Sequence, residues 1–208
     1  MSETNQPLTK ITRFMDGLLE TEGPTVKAVG WRDRENQRLR FTQLVRALEL
    51  GGEPFTVNDL GCGLADLYGF LNDVGLPMRG YRGYDLSEKM LAVARERVGD
   101  DGEVVRADRV TDTADYSFAC GIFNTKLDAT DGEWLDYMKS VIANLNEHSD
   151  RGFAFNSLTT YVDYREDHHF YADPAELFRF CKQEISPRVA LLHDYPLWEW
   201  TIAVRGGE

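Results

Sequence analysis

Apolar positions change their spacing along the chain. From Leu8 to Leu50 they recur at helical intervals, broken once at Gly23-Pro24. Within 36–48, Leu39, Leu44, Val45 and Leu48 fall near one face of a helix. The first ten residues are polar and are expected to fray. After Gly51-Gly52 the pattern becomes short apolar runs alternating with amphipathic stretches. Strands are predicted over 55–60, 79–84, 103–106, 116–123 and 152–156. Helices are predicted over 64–74, 87–98, 131–146 and 174–181, with Ser87 and Asp173 as N-caps and Pro174 in the first helical position. Two more strands, 188–192 and 197–204, flank the turn His193-Asp194-Tyr195-Pro196.

Strands and helices alternating at these lengths predict a mostly parallel sheet with helices on both faces. Two closing strands joined by so short a turn must run antiparallel to each other. The expected fold is therefore an α/β, Rossmann-like three-layer sandwich. Its seven-stranded sheet is mostly parallel with an antiparallel last strand, and N-terminal helices precede it. No repeat, low-complexity tract or linker divides the chain. It reads as one structural domain, with 1–50 an N-terminal helical segment and 51–208 the sheet domain.

Composition narrows the partners. The 208 residues are 42% hydrophobic and 28% charged, enough to bury a core and too apolar for wholesale disorder. Lys and Arg total 23 against 35 Asp and Glu, a formal charge of -12. That balance disfavours nucleic acid, whose affinity comes mainly from cationic side chains displacing counterions. It equally disfavours anionic membrane surfaces. No apolar run is long enough to span a bilayer, and the N-terminus lacks the apolar stretch of a secretory signal. Three widely spaced cysteines, Cys62, Cys120 and Cys181, imply neither a disulfide framework nor a zinc set. A cytoplasmic monomer or homodimer acting on a small molecule is expected.

The informative segment joins the first predicted strand to its helix, where open α/β sheets bind ligands. There Asp59-Leu60-Gly61-Cys62-Gly63 offers a tight turn and backbone that a ligand can approach closely. Asp85 ends the second strand, where a carboxylate can accept from both hydroxyls of a ribose. Asp108 follows the third strand, within reach of an adenine amino group. An adenosine-bearing ligand fits, either a dinucleotide or S-adenosylmethionine. A dinucleotide needs its pyrophosphate at the helix N-terminus, with glycine third in the fingerprint. Here Asp66 occupies that third position and Asp59 precedes the loop. Two carboxylates repel a pyrophosphate but suit a sulfonium and an ammonium, so a dinucleotide-dependent oxidoreductase is the lesser alternative.

These residues, with Gly83-Tyr84-Asp85-Leu86-Ser87-Glu88-Lys89-Met90 and Ala107-Asp108, resemble the first three motifs of the class I S-adenosylmethionine-dependent methyltransferases. The closing hairpin over 188–204 resembles their antiparallel seventh strand. One departure is Ala65, where the family often has glycine. The resemblance implies that Gly61, Cys62 and Gly63 contact the methionine part through backbone. It implies that Asp85 holds the ribose, that Leu86 and Met90 border the adenine, and that Asp108 contacts its amino group with Arg109 alongside. Gly121, after strand four, would pass near the transferring methyl. Asp59 stays open between ligand contact and bracing of the loop. The segment 27–31, with Gln37, Arg40 and Phe41, looks like a lid, in which Trp31 covers the cofactor and Arg40 pairs with its carboxylate.

Methyl transfer asks mainly for positioning, and for a base only when the acceptor loses a proton. Strand four ends Gly121-Ile122-Phe123-Asn124, unlike the Asn/Asp-Pro-Pro-Tyr/Phe signature of amino methyltransferases acting on nucleobases and glutamine. The polar, aromatic loop after strand five supplies His168 and His169 as base candidates, and the last turn supplies His193. Asp128, Asp163 and Asn156 are the best metal candidates, but no spacing demands a metal and none is expected. The resulting expectation is transfer to oxygen, nitrogen or sulfur of a small acceptor. The rival is a protein that binds the cofactor without transferring its methyl.

Overall fold

The computed structural model describes residues 6–48, 50 and 52–206; Gly51 and the first five residues of the expected frayed end lie outside these. The elements run α1 (Gln6–Glu22), α2 (Arg34–Leu48), β1 (Phe55–Leu60), α3 (Asp66–Asp73), β2 (Met78–Asp85), α4 (Glu88–Val98), β3 (Gly102–Arg106) and β4 (Ala114–Ala119). They continue with α5 (Asp131–Glu147), β5 (Ser149–Leu158), α6 (Pro174–Phe180), β6 (Val189–Leu192) and β7 (Glu199–Arg205). Seven strands form one sheet in the order β3-β2-β1-β4-β5-β7-β6. Strands β1 to β5 are parallel, and β7 is antiparallel to both β5 and β6. The α/β sandwich read from the pattern is the one observed.

Strand alternation builds the two faces. Ala154 points to the side where Phe41, Leu44 and Leu48 of α2 pack with Val57, Phe118 and Ala203, joined by α3 and α4. Phe153 and Phe155 point to the other, against Trp134, Met138 and Ile142 of α5, with Trp200 and Ile202. Buried indoles are satisfied: Trp134 donates to Phe123 O at 2.8 Å and Trp200 to Ala172 O at 3.1 Å. The expected cap residues also act: Ser87 Oγ accepts from Met90 N, and Asp173 accepts from Ala175 N.

Several boundaries differ from the expected ones for local reasons. Residues 6–10, expected to fray, begin α1. Helix α3 starts at Asp66 rather than residue 64, because Ala65 sits in the left-handed region at φ 59°. A non-glycine residue there costs roughly 1–2 kcal/mol, which explains why glycine suits that position. Strand β4 ends at Ala119, four residues early, because Gly121 turns the chain at φ 77°. Helix α2, within the N-terminal helical segment, lays its apolar face on the sheet as part of one layer of the sandwich. Connections leave β1 and β4 towards opposite ends of the sheet, so a crevice opens between their carboxyl ends.

Candidate active site

The loop after β1 is fixed by its own backbone and by carboxylates. Gly61 N and Cys62 N both donate to Tyr84 O, at 2.7 and 3.0 Å. Asp85 accepts from Gly63 N at 3.0 Å and from Ser87 N at 2.8 Å, holding loop and helix start together. Burial pushes its carboxyl above the usual range, although the backbone donors oppose this. Gly61, at φ 73°, has no room for a side chain: a Cβ would stand 2.1 Å from Ile122 Cγ2. Cys62 is buried with its Sγ against Gly83, and burial pushes its thiol well up.

Asp59 is buried at the end of β1 and accepts from Tyr81 OH at 2.7 Å. Burial raises its carboxyl to about 7; the Tyr81 hydrogen bond works against the rise, and Asp85 and Asp66 add to it. Asp66 opens α3 and takes Gln37 Nε2 at 2.9 Å and Arg97 Nη1 at 2.6 Å. Three carboxylates thus gather beside the crevice.

Across the crevice, a closed circuit of side chains holds the end of β4. Asn156 on β5 accepts from Gly121 N at 2.7 Å and donates to Glu199 on β7 at 2.7 Å. Glu199 is buried and receives Arg40 of α2 through Nε at 2.9 Å and Nη2 at 2.6 Å. Arg40 lies over the Trp31 ring, 4.0 Å from its centroid. Trp31 in turn covers Gly121, where a Cβ would fall 2.4 Å from the indole. Glu199 escaped the sequence reading, and Asn156 entered it only as a metal candidate. The available signal was a glutamate inside the apolar run Leu197-Trp198-Glu199-Trp200. Arg40, expected on a cofactor carboxylate, is instead committed to Glu199, because both charges are removed from water together.

The loop after β5 is stitched to the loop after β4. Thr125 and His169 form an antiparallel bridge, Phe170 N donates to Asn124 O, and Leu158 N donates to Asn124 Oδ1. His169 Nδ1 donates to Asn124 O at 3.0 Å; burial, with His168 close by, holds its pKa below the usual value. His193 is different. It is exposed beside Tyr161, outside the cavity, while Asp194 is drawn to Arg46 at 2.9 Å. Tyr195 is buried and Pro196 lines the cavity, but His193 and Asp194 face solvent, so His193 is not brought to the site.

One cavity of about 820 Å³ runs along the carboxyl edge of the sheet. Asp59, Gly61, Cys62, Gly63, Asp85, Leu86, Met90 and Asp108 line one end. Gly121, Trp31, Arg40, His168 and His169 line the other, and Leu8, Ile11 and Met15 of α1 roof it. Arg109 is absent from the lining. It turns to α5, stacking 4.9 Å from the Tyr137 ring centroid and donating to Ser140 Oγ at 3.0 Å. The alternative metal trio does not converge either: Asp128 pairs with Lys10, and Asn156 is spent on Gly121 and Glu199. No described helix is long and apolar enough to cross a membrane.

The donor set tests the expected cofactor. A pyrophosphate at the start of α3 would meet Asp66, with Asp59 and Asp85 close behind. A cationic sulfonium and ammonium meet the same carboxylates favourably, and Asp85 keeps lone pairs for ribose hydroxyls. The residues present fit S-adenosylmethionine and not a dinucleotide.

Comparison with known proteins agrees. No family model matches the chain. It is 43% identical over 157 residues to the "Putative methyltransferase Rv1506c" of Mycobacterium tuberculosis, spanning 74% of this chain and 94% of that one. Among solved structures, a SAM-dependent methyltransferase of Leishmania major superposes with a TM-score of 0.66 at 14% identity, over 99% of this chain and 87% of the other. The N-methyltransferase NodS of Bradyrhizobium japonicum, in complex with S-adenosyl-L-homocysteine, gives 0.66 at 15% identity, over 95% and 98%. At those identities the two structures speak for the fold alone. The sequence likeness to the mycobacterial protein goes further, and with the strand order and the glycine loop it makes this chain a member of the class I S-adenosylmethionine-dependent methyltransferases.

Proposed function

We propose that this enzyme methylates oxygen, nitrogen or sulfur of a small, largely apolar molecule bound at the Gly121 end of the cavity. The observation that carries this reading is the cavity's volume of about 820 Å³, towards the upper end of the roughly 300–1,000 Å³ usual for small-molecule sites. Its length joins the carboxylate cluster to an aromatic and imidazole-lined end, giving room for two metabolite-sized ligands side by side. Trp31, Trp134, Tyr137, Tyr164 and Trp198 line it, which suits an acceptor with aromatic or aliphatic surface.

Bound S-adenosylmethionine supplies an electrophilic methyl on a sulfonium. In this reading Asp85 binds the ribose, Asp108 meets the adenine amino group, and Leu86 and Met90 pack against the purine. The backbone of Gly61, Cys62 and Gly63 cradles the methionine part, with Asp59 near its ammonium. Gly121 lets the Trp31 ring lie directly on the backbone beside the methyl, and the Asn156 bond to its amide fixes that backbone. Trp31, stacked on Arg40, closes the site against water together with α1, so residues 6–33 act as the cover. His168 and His169 face the acceptor. Catalysis here is chiefly orientation in a dry cavity.

The test is release of S-adenosylhomocysteine across a library of small acceptors. Turnover with a defined compound, lost in Asp85→Ala, supports the reading. Tight cofactor binding with no turnover on any acceptor would favour the non-catalytic binding protein instead.

A further inference from the structure

The loop after β5 carries a ligand set that methyl transfer does not call for, and that spacing in the sequence did not disclose. Glu166, His168 and His169 place one donor atom each within 4.8 Å of one another. Nε2 of His169 is 3.3 Å and Nε2 of His168 3.5 Å from the same oxygen, Glu166 Oε2. Two ligand atoms bonded at about 2.0–2.2 Å to a tetrahedral ion stand roughly 3.4 Å apart. Both nitrogen–oxygen separations match that edge.

Tautomer and backbone point the same way. His169 donates Nδ1–H to the Asn124 carbonyl at 3.0 Å, so its neutral ring turns the Nε2 lone pair towards the carboxylate. Facing lone pairs at 3.3 Å need a proton or a metal ion between them, and two imidazoles converging on one carboxylate oxygen are the arrangement a metal ion uses. A ring N–H fixed on a backbone carbonyl is also the usual support behind a ligating histidine. The loop is already ordered: Lys126 N and Leu127 N donate to His168 O, His169 N to Glu166 O, and Glu166 N to Tyr171 OH. Neighbouring cations are engaged elsewhere, Lys126 by Ala129 O and Asp131, and Arg165 by Thr160 O and the Tyr171 ring.

We propose that Glu166, His168 and His169 bind one divalent transition ion of the zinc class, in a three-ligand site at the rim of the cavity. Two imidazoles and one carboxylate select zinc, cobalt or nickel over the oxygen-seeking magnesium and calcium. His168 and His169 line the cavity, while Glu166 and His169 line a smaller pocket of about 150 Å³ beside it, so the ion would sit at the rim between the two.

The experiment needs neither cofactor nor acceptor, so its outcome is independent of methyl transfer. Untagged, chelator-treated protein is titrated with zinc against a competing chromophoric chelator, and with cobalt as a spectroscopic reporter. One equivalent should bind, giving visible cobalt bands of four-coordinate type without a thiolate charge-transfer band. Glu166→Gln keeps the side chain's shape and should weaken binding by at least about tenfold, as should His168→Ala, by analogy with the roughly 10–100-fold cost of losing even a supporting group. Thermal melts of both variants without metal should match the parent. Absence of saturable binding, a thiolate band implicating the cysteines, or unchanged affinity in folded Glu166→Gln would each overturn the site.

Discussion

The two ends of the cavity are built by different means. At the carboxylate end, the two most buried carboxylates are positioned by residues close in sequence or on the adjoining strand: Asp85 by Gly63 and Ser87, Asp59 by Tyr81. At the Gly121 end, Asn156, Glu199 and Arg40 meet across 43 and 159 residues of chain, and Trp31 closes the circuit. The first design ties cofactor recognition to turns. The second ties the acceptor end to the global fold, so the same change should cost affinity at one end and stability at the other.

Glu199→Ala should show the largest effect. It leaves Arg40, whose side chain is only 11% exposed, without its partner. Losing one member of a buried pair costs about 3–5 kcal/mol. Urea unfolding measures this, and Arg40→Met with Glu199→Leu should recover much of the loss. A cost below about 1 kcal/mol in the single variant would mean that the pair is effectively solvated and that the end is not held this way.

Asp85→Ala probes the other design. Cofactor affinity should fall by about 1.5–3 kcal/mol, the worth of a charged hydrogen bond, or roughly ten- to 150-fold. Calorimetry on folded protein gives the number, and unchanged affinity would remove Asp85 from the ribose.

Asp59 sharpens the comparison through pH. Its carboxyl titrates at about 7 because it is buried among Asp85, Asp66 and Cys62, with Tyr81 as its one opposing donor. The unfolded chain releases that proton near 4. Stability therefore drops as pH rises from about 4 to 7 and is level above, where both states are ionised. A ligand ammonium would lower the folded value, so cofactor binding expels a proton below pH 7. Affinity should then rise about tenfold from pH 6 to 8, a slope that Asp59→Asn removes. A flat profile in the parent would leave Asp59 as a brace for Tyr81 only.

The same contrast explains what could be read from sequence. The strands, their mostly parallel sense, and the glycine loop and aspartates at their carboxyl ends were legible because turn chemistry and period-two alternation are local. Ala65 could not announce its left-handed backbone, and helix α3 was expected to start two residues early. Arg109 and Arg40 were both placed on ligand because their partners, Tyr137 with Ser140 and Glu199, come from elements whose packing no local spacing encodes. The circuit through Asn156 was hidden for the same reason.

The smallest expected effect separates two histidines that the sequence could not rank. His193 lies in an exposed turn, its ring 5.8 Å from Tyr161 and outside the cavity. His193→Ala removes no buried contact, so stability should stay within about 0.5 kcal/mol and turnover within roughly twofold, since 1.4 kcal/mol is needed for a tenfold change. His169→Ala removes a lining side chain that ties the loop after β5 to Asn124 O, and should cut turnover by at least about tenfold through lost positioning while cofactor affinity holds. Steady-state rates on one acceptor, beside calorimetry on the cofactor, make the comparison. Equal losses in both variants would mean that the last turn also reaches the acceptor, and that the boundary drawn between the two loops is misplaced.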